Sequence, residues 1–134
     1  MTSEVPASHE ILLRLPARAP FGRLARIGAA SLALRQSMSF REIDDLRLAV
    51  DEAVVLLFSA PPGGDTAADI VVDYHLGEGS IEIEMQRTDA AALPENAVDR
   101  FDGLVGPLVD DLDVDAGRGW VRLVLRHHPD ETLI

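Results

Sequence analysis

Two acidic residues on one predicted helix have the types and spacing that could support general-base chemistry. Residues 43–53 have apolar side chains at helical spacing, and acids border that apolar stripe. On a helical wheel, Asp45 and Glu52 share one edge with position 56. A carboxylate beside a buried cleft can have its pKa tuned to accept a proton. The alternative is an ordinary amphipathic helix whose acids lie on its solvated border.

A run of alternating aspartates raises the question of a calcium site. Asp111, Asp113 and Asp115 have the opening spacing of a calcium-binding loop. Ala116 and Arg122 stand where that loop needs Gly and Glu. The same spacing of two is typical of the wet face of a strand. The pattern therefore favours a strand.

Two other motifs are weaker still. The neighbouring His127 and His128 would point to opposite faces of a strand, so they are poorly placed to share a metal. Residues 61–65 are rich in Pro and Gly but lack the Lys-Ser/Thr of a phosphate loop, which indicates a linker. We therefore predict no metal site from the sequence.

The elements that must position these residues follow the order β-α-α-β-β-α-β-β. Predicted strands cover residues 9–15, 69–74, 80–87, 111–115 and 120–126. Predicted helices cover residues 21–37, 40–59 and 98–110. Leu24, Ile27 and Leu34 give the first helix its apolar stripe, and Ser39 with Glu42 forms a capping box before the second. Antiparallel strands with helices covering one face imply a two-layer α+β sandwich.

Composition limits the classes of function. The chain has 134 residues and a net charge of −11, from 12 basic and 23 acidic residues. Such a charge argues against direct nucleic-acid binding and suits a basic protein partner. The length fits one domain over residues 9–128, with tails at 1–8 and 129–134. No apolar run approaches the roughly 20 residues that span a membrane, and cysteine is absent. We therefore expect a cytoplasmic protein that does not bind membranes.

Residues 43–53 resemble the N-box helix of the anti-sigma factor kinases of the RsbW and SpoIIAB type. These kinases belong to the Bergerat-fold, or histidine-kinase-like, ATPases. The resemblance covers most of the chain at the level of element order. It implies an α+β sandwich of the Bergerat type, with a mostly antiparallel sheet covered by helices on one face. It also implies ATP and Mg²⁺ as cofactors, a sigma factor and an anti-anti-sigma (STAS) protein as partners, and a homodimer.

The nucleotide boxes of this family are only partly matched. The resemblance places Glu52 at the general base of the N-box. The family's Mg²⁺-binding Asn falls on Leu56, which has no side-chain oxygen for a hard cation. The Asp that binds the adenine amine falls on Arg87, and Asp89 replaces it only with a shift of two residues.

The last family box is a Gly-rich loop that leads into a helix and cradles the triphosphate. Only Gly103 and Gly106 remain in that part of the chain. Because three boxes are altered together, we expect Glu52 to be vestigial and neither ATP nor Mg²⁺ to bind. Leu56 is expected to fill the space where the metal would lie.

These expectations favour a pseudokinase that sequesters a sigma factor by protein–protein binding, countered by an anti-anti-sigma partner. The alternative is an active serine kinase that uses ATP and Mg²⁺ to phosphorylate that partner. Glu52 favours the kinase, whereas Leu56 and Arg87 oppose it. A third hypothesis is a degenerate Bergerat-fold module that binds another protein or a small ligand.

Overall fold

A five-stranded antiparallel sheet forms one layer of the fold in the computed structural model, which describes residues 9–60 and 68–129. The strands are β1 (His9–Pro16), β2 (Asp69–Gly77), β3 (Ser80–Arg87), β4 (Asp111–Asp115) and β5 (Trp120–Arg126). Their order across the sheet is β1-β2-β3-β5-β4, and each neighbouring pair is antiparallel. The predicted linker and the N-terminal tail lie outside the described residues. So does the C-terminal tail, apart from its first residue.

Helices form the second layer and cover one face of this sheet. They are α1 (Ala19–Leu34), α2 (Phe40–Phe58) and α3 (Glu95–Val105), and short 3-10 turns cover Gly106–Leu108 and Ala116–Arg118. Burial alternates strictly along β2 and β3, so each strand has a core face and a more exposed face. The predicted two-layer α+β fold and its element order are confirmed. No helix among the described residues is long and apolar enough to cross a membrane.

The capping box at the start of α2 is present as predicted. The Glu42 backbone N–H donates to Ser39 Oγ at 3.1 Å, and the Ser39 backbone N–H donates to Glu42 Oε1 at 2.8 Å. The Glu42 carboxylate also contacts His127 Nδ1 at 2.8 Å and accepts from the His128 backbone N–H at 2.7 Å. Glu42 therefore ties the start of α2 to the chain that leaves β5.

Glu42 is expected to make stability depend on acidic pH. Burial opposes its charged form, but the hydrogen bonds from His127, Ser39 and His128 outweigh this and lower the pKa of Glu42 from 4.5 to about 2. Because the folded pKa is the lower one, this stabilisation is present above about pH 4.5 and is lost as the pH falls toward 2. We expect Glu42→Gln to reduce the free energy of unfolding by about 2–3 kcal/mol at pH 7.

Urea denaturation at pH 7, 5 and about 3.5 measures this difference, which should narrow as the pH falls. The control is Glu78→Gln in the exposed β2–β3 turn, where we expect a change within about 0.5 kcal/mol. A loss at Glu42 that is the same at all three values would contradict the assignment to its charge.

The apolar stripe of α1 is not the side of the helix that is buried. Leu24 is 43% exposed, Ile27 53% and Leu34 61%. The buried side is made of small residues, namely Gly22, Ala25, Ala29 and Ala33. The large side chains of α1 are thus left on the surface.

Close packing explains why small residues face the core. A Cβ added at Gly22 would lie 2.6 Å from Val54 of α2, and one added at Gly28 would lie 2.8 Å from the Tyr74 hydroxyl of β2. That hydroxyl donates a hydrogen bond to the carbonyl of Ala25 at 2.9 Å. The short distance between α1 and its neighbours leaves no room for leucines on this side.

Three predicted boundaries are corrected. α1 begins earlier than predicted and ends at Leu34, before Ser37, whose φ is +62°. α3 covers Glu95–Val105 and not residues 98–110, because Pro107 cannot continue the hydrogen-bond ladder of the helix. β2 continues to Gly77, and the turn to β3 then needs only residues 78 and 79, with Gly79 at φ +67°.

Candidate functional site

Glu52 lies on the side of α2 that meets α3. Its side chain is largely buried, and Oε1 accepts a hydrogen bond from Arg100 Nη1 of α3 at 2.9 Å. The carboxylate is thus part of an ion pair between two helices. A general base must instead reach the proton that it removes.

Leu56 lies one helical turn after Glu52 and is only 2% exposed. It lines a cleft of about 240 Å³ between α2 and α3, and the ion pair of Glu52 and Arg100 lines the same cleft. Its side chain contains only carbon, whereas Mg²⁺ requires oxygen ligands in octahedral geometry. The residue at this position therefore does not fit a magnesium ion.

Arg87, at the end of β3, is a buried cation that caps the end of α2. Its Nη1 donates to the carbonyl oxygens of Leu57 at 2.9 Å and Ala60 at 2.8 Å. The last carbonyls of a helix have no partner within the helix and need donors from elsewhere. Arg87 supplies these donors from the sheet, so it holds α2 and β3 together.

The same guanidinium forms a bidentate ion pair with Asp89. Arg87 Nε donates to Oδ1 at 3.0 Å, and Nη2 donates to Oδ2 at 2.7 Å. The two side chains are 5% and 15% exposed. The backbone N–H of Ala91 also donates to Asp89 Oδ1, at 3.2 Å. Arg87 offers no acceptor for an adenine amine, and the carboxylate of Asp89 faces the arginine. The two residues therefore do not match the adenine-binding pattern of the family.

Gly103 and Gly106 do not form a loop that leads into a helix. Gly103 lies within α3, and Gly106 follows its last residue. A Cβ at either position would meet nothing within 4 Å among the described residues. α3 instead begins after Pro94, so a phosphate at its N-terminus would not meet these glycines. The expectation that these two positions are degenerate and bind no nucleotide stays a prediction.

The other candidate motifs have structural roles. The three alternating aspartates lie on β4, as the strand prediction requires. Each pairs with an arginine: Asp111 with Arg126, Asp113 with Arg122 and Asp115 with Arg118. The adjacent histidines contact different carboxylates, because His127 lies against Glu42 and His128 against Asp110. Neither motif gathers ligands around one point.

Sequence reasoning missed the exposed face of α1. We call Phe21, Leu24, Ile27 and Leu34 the α1 face, since all four are exposed. Residues 11–41, which contain it, include six of the twelve arginines and no acidic residue. The remaining chain therefore carries all 23 acids. This segregation was readable from the sequence, but its significance depended on knowing that the apolar stripe faces solvent.

A second polar cluster lies on the helix-free face of the sheet, where side chains alternate with those of the core. It consists of Glu10 on β1, Asp73 and His75 on β2, and Glu84 on β3. A side-chain hydrogen bond and the negative charge of Asp73 raise the pKa of Glu10. Carboxylates are thus crowded together on this face.

Sheet order, helix placement and the position of the N-box helix define a Bergerat-type ATPase fold. A solved structure of the RsbU and RsbW domains of a Mycobacterium tuberculosis protein matches 89% of this chain and 32% of that one, with a TM-score of 0.67 and 17% identity. This likeness shows the fold, and the predicted fold class is confirmed.

Curated relatives indicate the particular family. The chain is 32% identical over 76 residues to a protein of Listeria innocua named serine-protein kinase RsbW, and 30% identical to its namesake in Listeria monocytogenes serotype 4a. Each match covers 57% of this chain and 48% of the relative, so the chain spans about half the length of the curated relatives it matches. No family model matches the chain. The relatives support the RsbW and SpoIIAB family, which confirms the resemblance.

Proposed function

We propose that this protein is a regulator of the anti-sigma factor kind that sequesters a sigma factor by protein–protein binding, without using ATP. The similarity to RsbW proteins supports the general class. The occupation of two nucleotide-box positions by Leu56 and Arg87 is the observation that carries the proposal. Such a regulator would act in the cytoplasm and be released by an anti-anti-sigma partner.

Binding without nucleotide follows from what those two positions contain. A Mg²⁺-nucleotide needs an oxygen ligand where Leu56 is buried, and an acceptor for the adenine amine where Arg87 donates to α2. Freeing Arg87 would remove its hydrogen bonds to Asp89, to the carbonyl of Leu57 in α2 and to that of Ala60 just after the helix. We therefore expect the free energy needed to open this site to exceed the free energy of binding a nucleotide that has few remaining ligands.

We assign sigma-factor binding to the α1 face. Its four exposed apolar side chains lie in a segment that carries six arginines and no acid, on a chain that is otherwise acidic. Two of these arginines, Arg14 on β1 and Arg26, are paired with Asp69 and Asp51 from outside the segment. A complementary surface would be apolar at its centre and acidic at its rim. The partner proposed here is acidic where it meets α1, whereas the net charge of the whole chain suits a basic partner. The difference arises because residues 11–41 are positively charged although the chain as a whole is negative.

Interface substitutions on α1 are expected to weaken binding without unfolding the protein. Leu24→Ser combined with Ile27→Ser removes two exposed apolar contacts, and we expect at least a tenfold loss of affinity for the sigma factor. Leu104→Ser on α3, where the leucine is 45% exposed, is the matched control and should change affinity less than twofold. Biolayer interferometry gives the affinities, and thermal melts confirm folding.

Equal affinity for the wild type and the α1 double variant would contradict this surface. A homodimer, which the family resemblance implies, is also part of the proposal, and analytical ultracentrifugation of the same variants tests it. Loss of the dimer with unchanged sigma-factor affinity would reassign the α1 face to self-association.

The function itself is tested with the sigma factors of the same organism, each purified and offered in nucleotide-free buffer. We expect one of them to bind, with an affinity that ATP and Mg²⁺ leave unchanged within twofold. Binding that requires nucleotide would contradict the proposal, as would failure of every sigma factor to bind.

Glu52 favours a second candidate function, that of an active serine kinase. The relatives are named serine-protein kinases. The N-box resemblance places Glu52 at the position of the family's general base. Its ion pair with Arg100 would have to open before it could contact a substrate hydroxyl. Mass spectrometry of a STAS partner incubated with the protein and ATP–Mg²⁺ tests this, and a phosphoserine lost in Glu52→Gln would favour the kinase.

A further inference from the structure

We propose that the helix-free face of the sheet binds a divalent transition-metal ion, with Zn²⁺ as the best fit, through His75, Asp73 and Glu10. Glu84 Oε1 lies 3.2 Å from His75 Nε2, beside this group of three. The site is separate from the α2–α3 cleft and from the α1 face, and it does not depend on the proposed function. Its residues are scattered over three strands, so no sequence motif marks them.

Sheet register brings these residues together. Asp73 and His75 are two residues apart on β2, so both point to the face opposite the buried Val72, Tyr74 and Leu76. Glu10 is the direct partner of His75 across β1, and Glu84 is the direct partner of Asp73 across β3. Cross-strand partners on one face lie about 5 Å apart at Cβ, so their side chains can converge.

The ligand atoms have the separations of a metal site. His75 Nε2 lies 3.3 Å from Asp73 Oδ1 and 3.2 Å from Glu84 Oε1. One ligand atom from each of Glu10, Asp73 and His75 falls within 4.8 Å of the others. Zinc bonds of about 2.0–2.1 Å in a tetrahedron place neighbouring ligands about 3.3–3.4 Å apart. The distances around His75 therefore match a tetrahedral ion.

Two of these atoms are buried without a hydrogen bond among the described residues. They are Asp73 Oδ1 and His75 Nε2, which lie at ion-pair distance from each other, as His75 Nε2 does from Glu84 Oε1, but without the geometry of a hydrogen bond. Buried polar atoms of native proteins are nearly always paired, so a pair of unsatisfied ligand atoms needs an explanation. Arg122 of β5 does not provide one, because it is bonded to Glu82 at 2.8 Å and Asp113 at 2.7 Å. A cation between the two atoms would satisfy both.

The donor set indicates the class of ion. An imidazole nitrogen with carboxylate oxygens and no thiolate suits Zn²⁺ and its first-row neighbours, whereas Mg²⁺ prefers oxygen ligands alone. Three carboxylates around one imidazole also leave a negative site that a divalent ion would neutralise. Bound there, the ion would tie the edge strand β1 to β2 and β3.

Metal-free protein, with any affinity tag removed, is titrated with Co²⁺ as a spectroscopic probe and with Zn²⁺ by calorimetry. We expect one equivalent to bind, with the visible d–d bands of tetrahedral Co²⁺ that Zn²⁺ abolishes. His75→Ala should lower the affinity at least tenfold. Glu10→Gln changes an exposed residue of the edge strand β1, so it should leave the fold intact and lower the metal affinity by a smaller factor.

His128→Ala is the matched control, because it removes an exposed imidazole that lies against Asp110 and away from the His75 cluster. Circular dichroism confirms that each variant is folded. The proposal is overturned if about 100 µM Zn²⁺ produces no binding heat and no stabilisation of the wild type. It is also overturned if binding survives both His75→Ala and Glu10→Gln, or is lost in His128→Ala.

Discussion

Arg87→Met is expected to lower the free energy of unfolding by about 3–5 kcal/mol, the largest effect of any substitution considered for this protein. The methionine keeps most of the side-chain volume but removes the buried charge. Asp89 then loses its bidentate partner, and the carbonyls of Leu57 and Ala60 lose their donor. Removing one partner of a buried ion pair is strongly destabilising, because the remaining charge stays buried after it has lost the hydrogen bonds of that partner. Urea denaturation followed by circular dichroism measures the change.

The matched control removes both charges. Arg87→Met combined with Asp89→Leu removes the buried carboxylate together with its arginine, so we expect the double variant to be more stable than Arg87→Met alone. If the double variant is the less stable of the two, then Asp89 stabilises the fold through contacts other than Arg87, such as the Ala91 backbone N–H, and the ion pair is secondary.

Leu56→Asn should cost about 2–4 kcal/mol and should not create nucleotide binding. Leu56 is 2% exposed, so the change removes apolar burial and places a polar amide at a buried position between α2 and α3. The substitution also restores the residue type that the family resemblance calls for at this position.

Denaturation with and without ATP–Mg²⁺ therefore distinguishes two cases. A packed site loses stability and binds no nucleotide, whereas an open site keeps its stability and gains affinity for ATP–Mg²⁺.

Leu48→Asn is the control for this experiment, because it makes the same change on the same helix at a residue that is 49% exposed. We expect it to cost less than about 1 kcal/mol. A Leu56→Asn protein as stable as this control, with a new affinity for ATP–Mg²⁺, would show that the site is open and would return the kinase to first place.

Local signals were sufficient to predict most of the fold. The capping box of Ser39 and Glu42 marked the start of α2, and strict alternation in β3 identified its buried face. The α1 stripe misled because an apolar pattern shows that a helix is amphipathic but not which neighbour it packs against. In α1, the close approach to Val54 and Tyr74 leaves space only for small residues on the side that faces the core.

The candidate site was only partly readable from the sequence. The spacing of Glu52 and Leu56 on one helix edge fixed their relative placement, since it depends on helix geometry alone. The contacts of Arg87 with Leu57 and Ala60, and of Glu52 with Arg100, join residues 27–48 positions apart. Such contacts depend on how the layers pack. The cluster around His75 was invisible for the same reason, because strand register assembles it.

Titration of the wild-type protein with ATP–Mg²⁺ tests the central claim most directly. The account predicts no binding heat and no change in melting temperature at about 1 mM nucleotide, because Leu56 and Arg87 occupy two of the positions that a functional site needs. A dissociation constant near 10 µM would instead stabilise the protein by about 2.7 kcal/mol at that concentration, which is easily detected. Such a shift would contradict the account of a regulator that works without ATP.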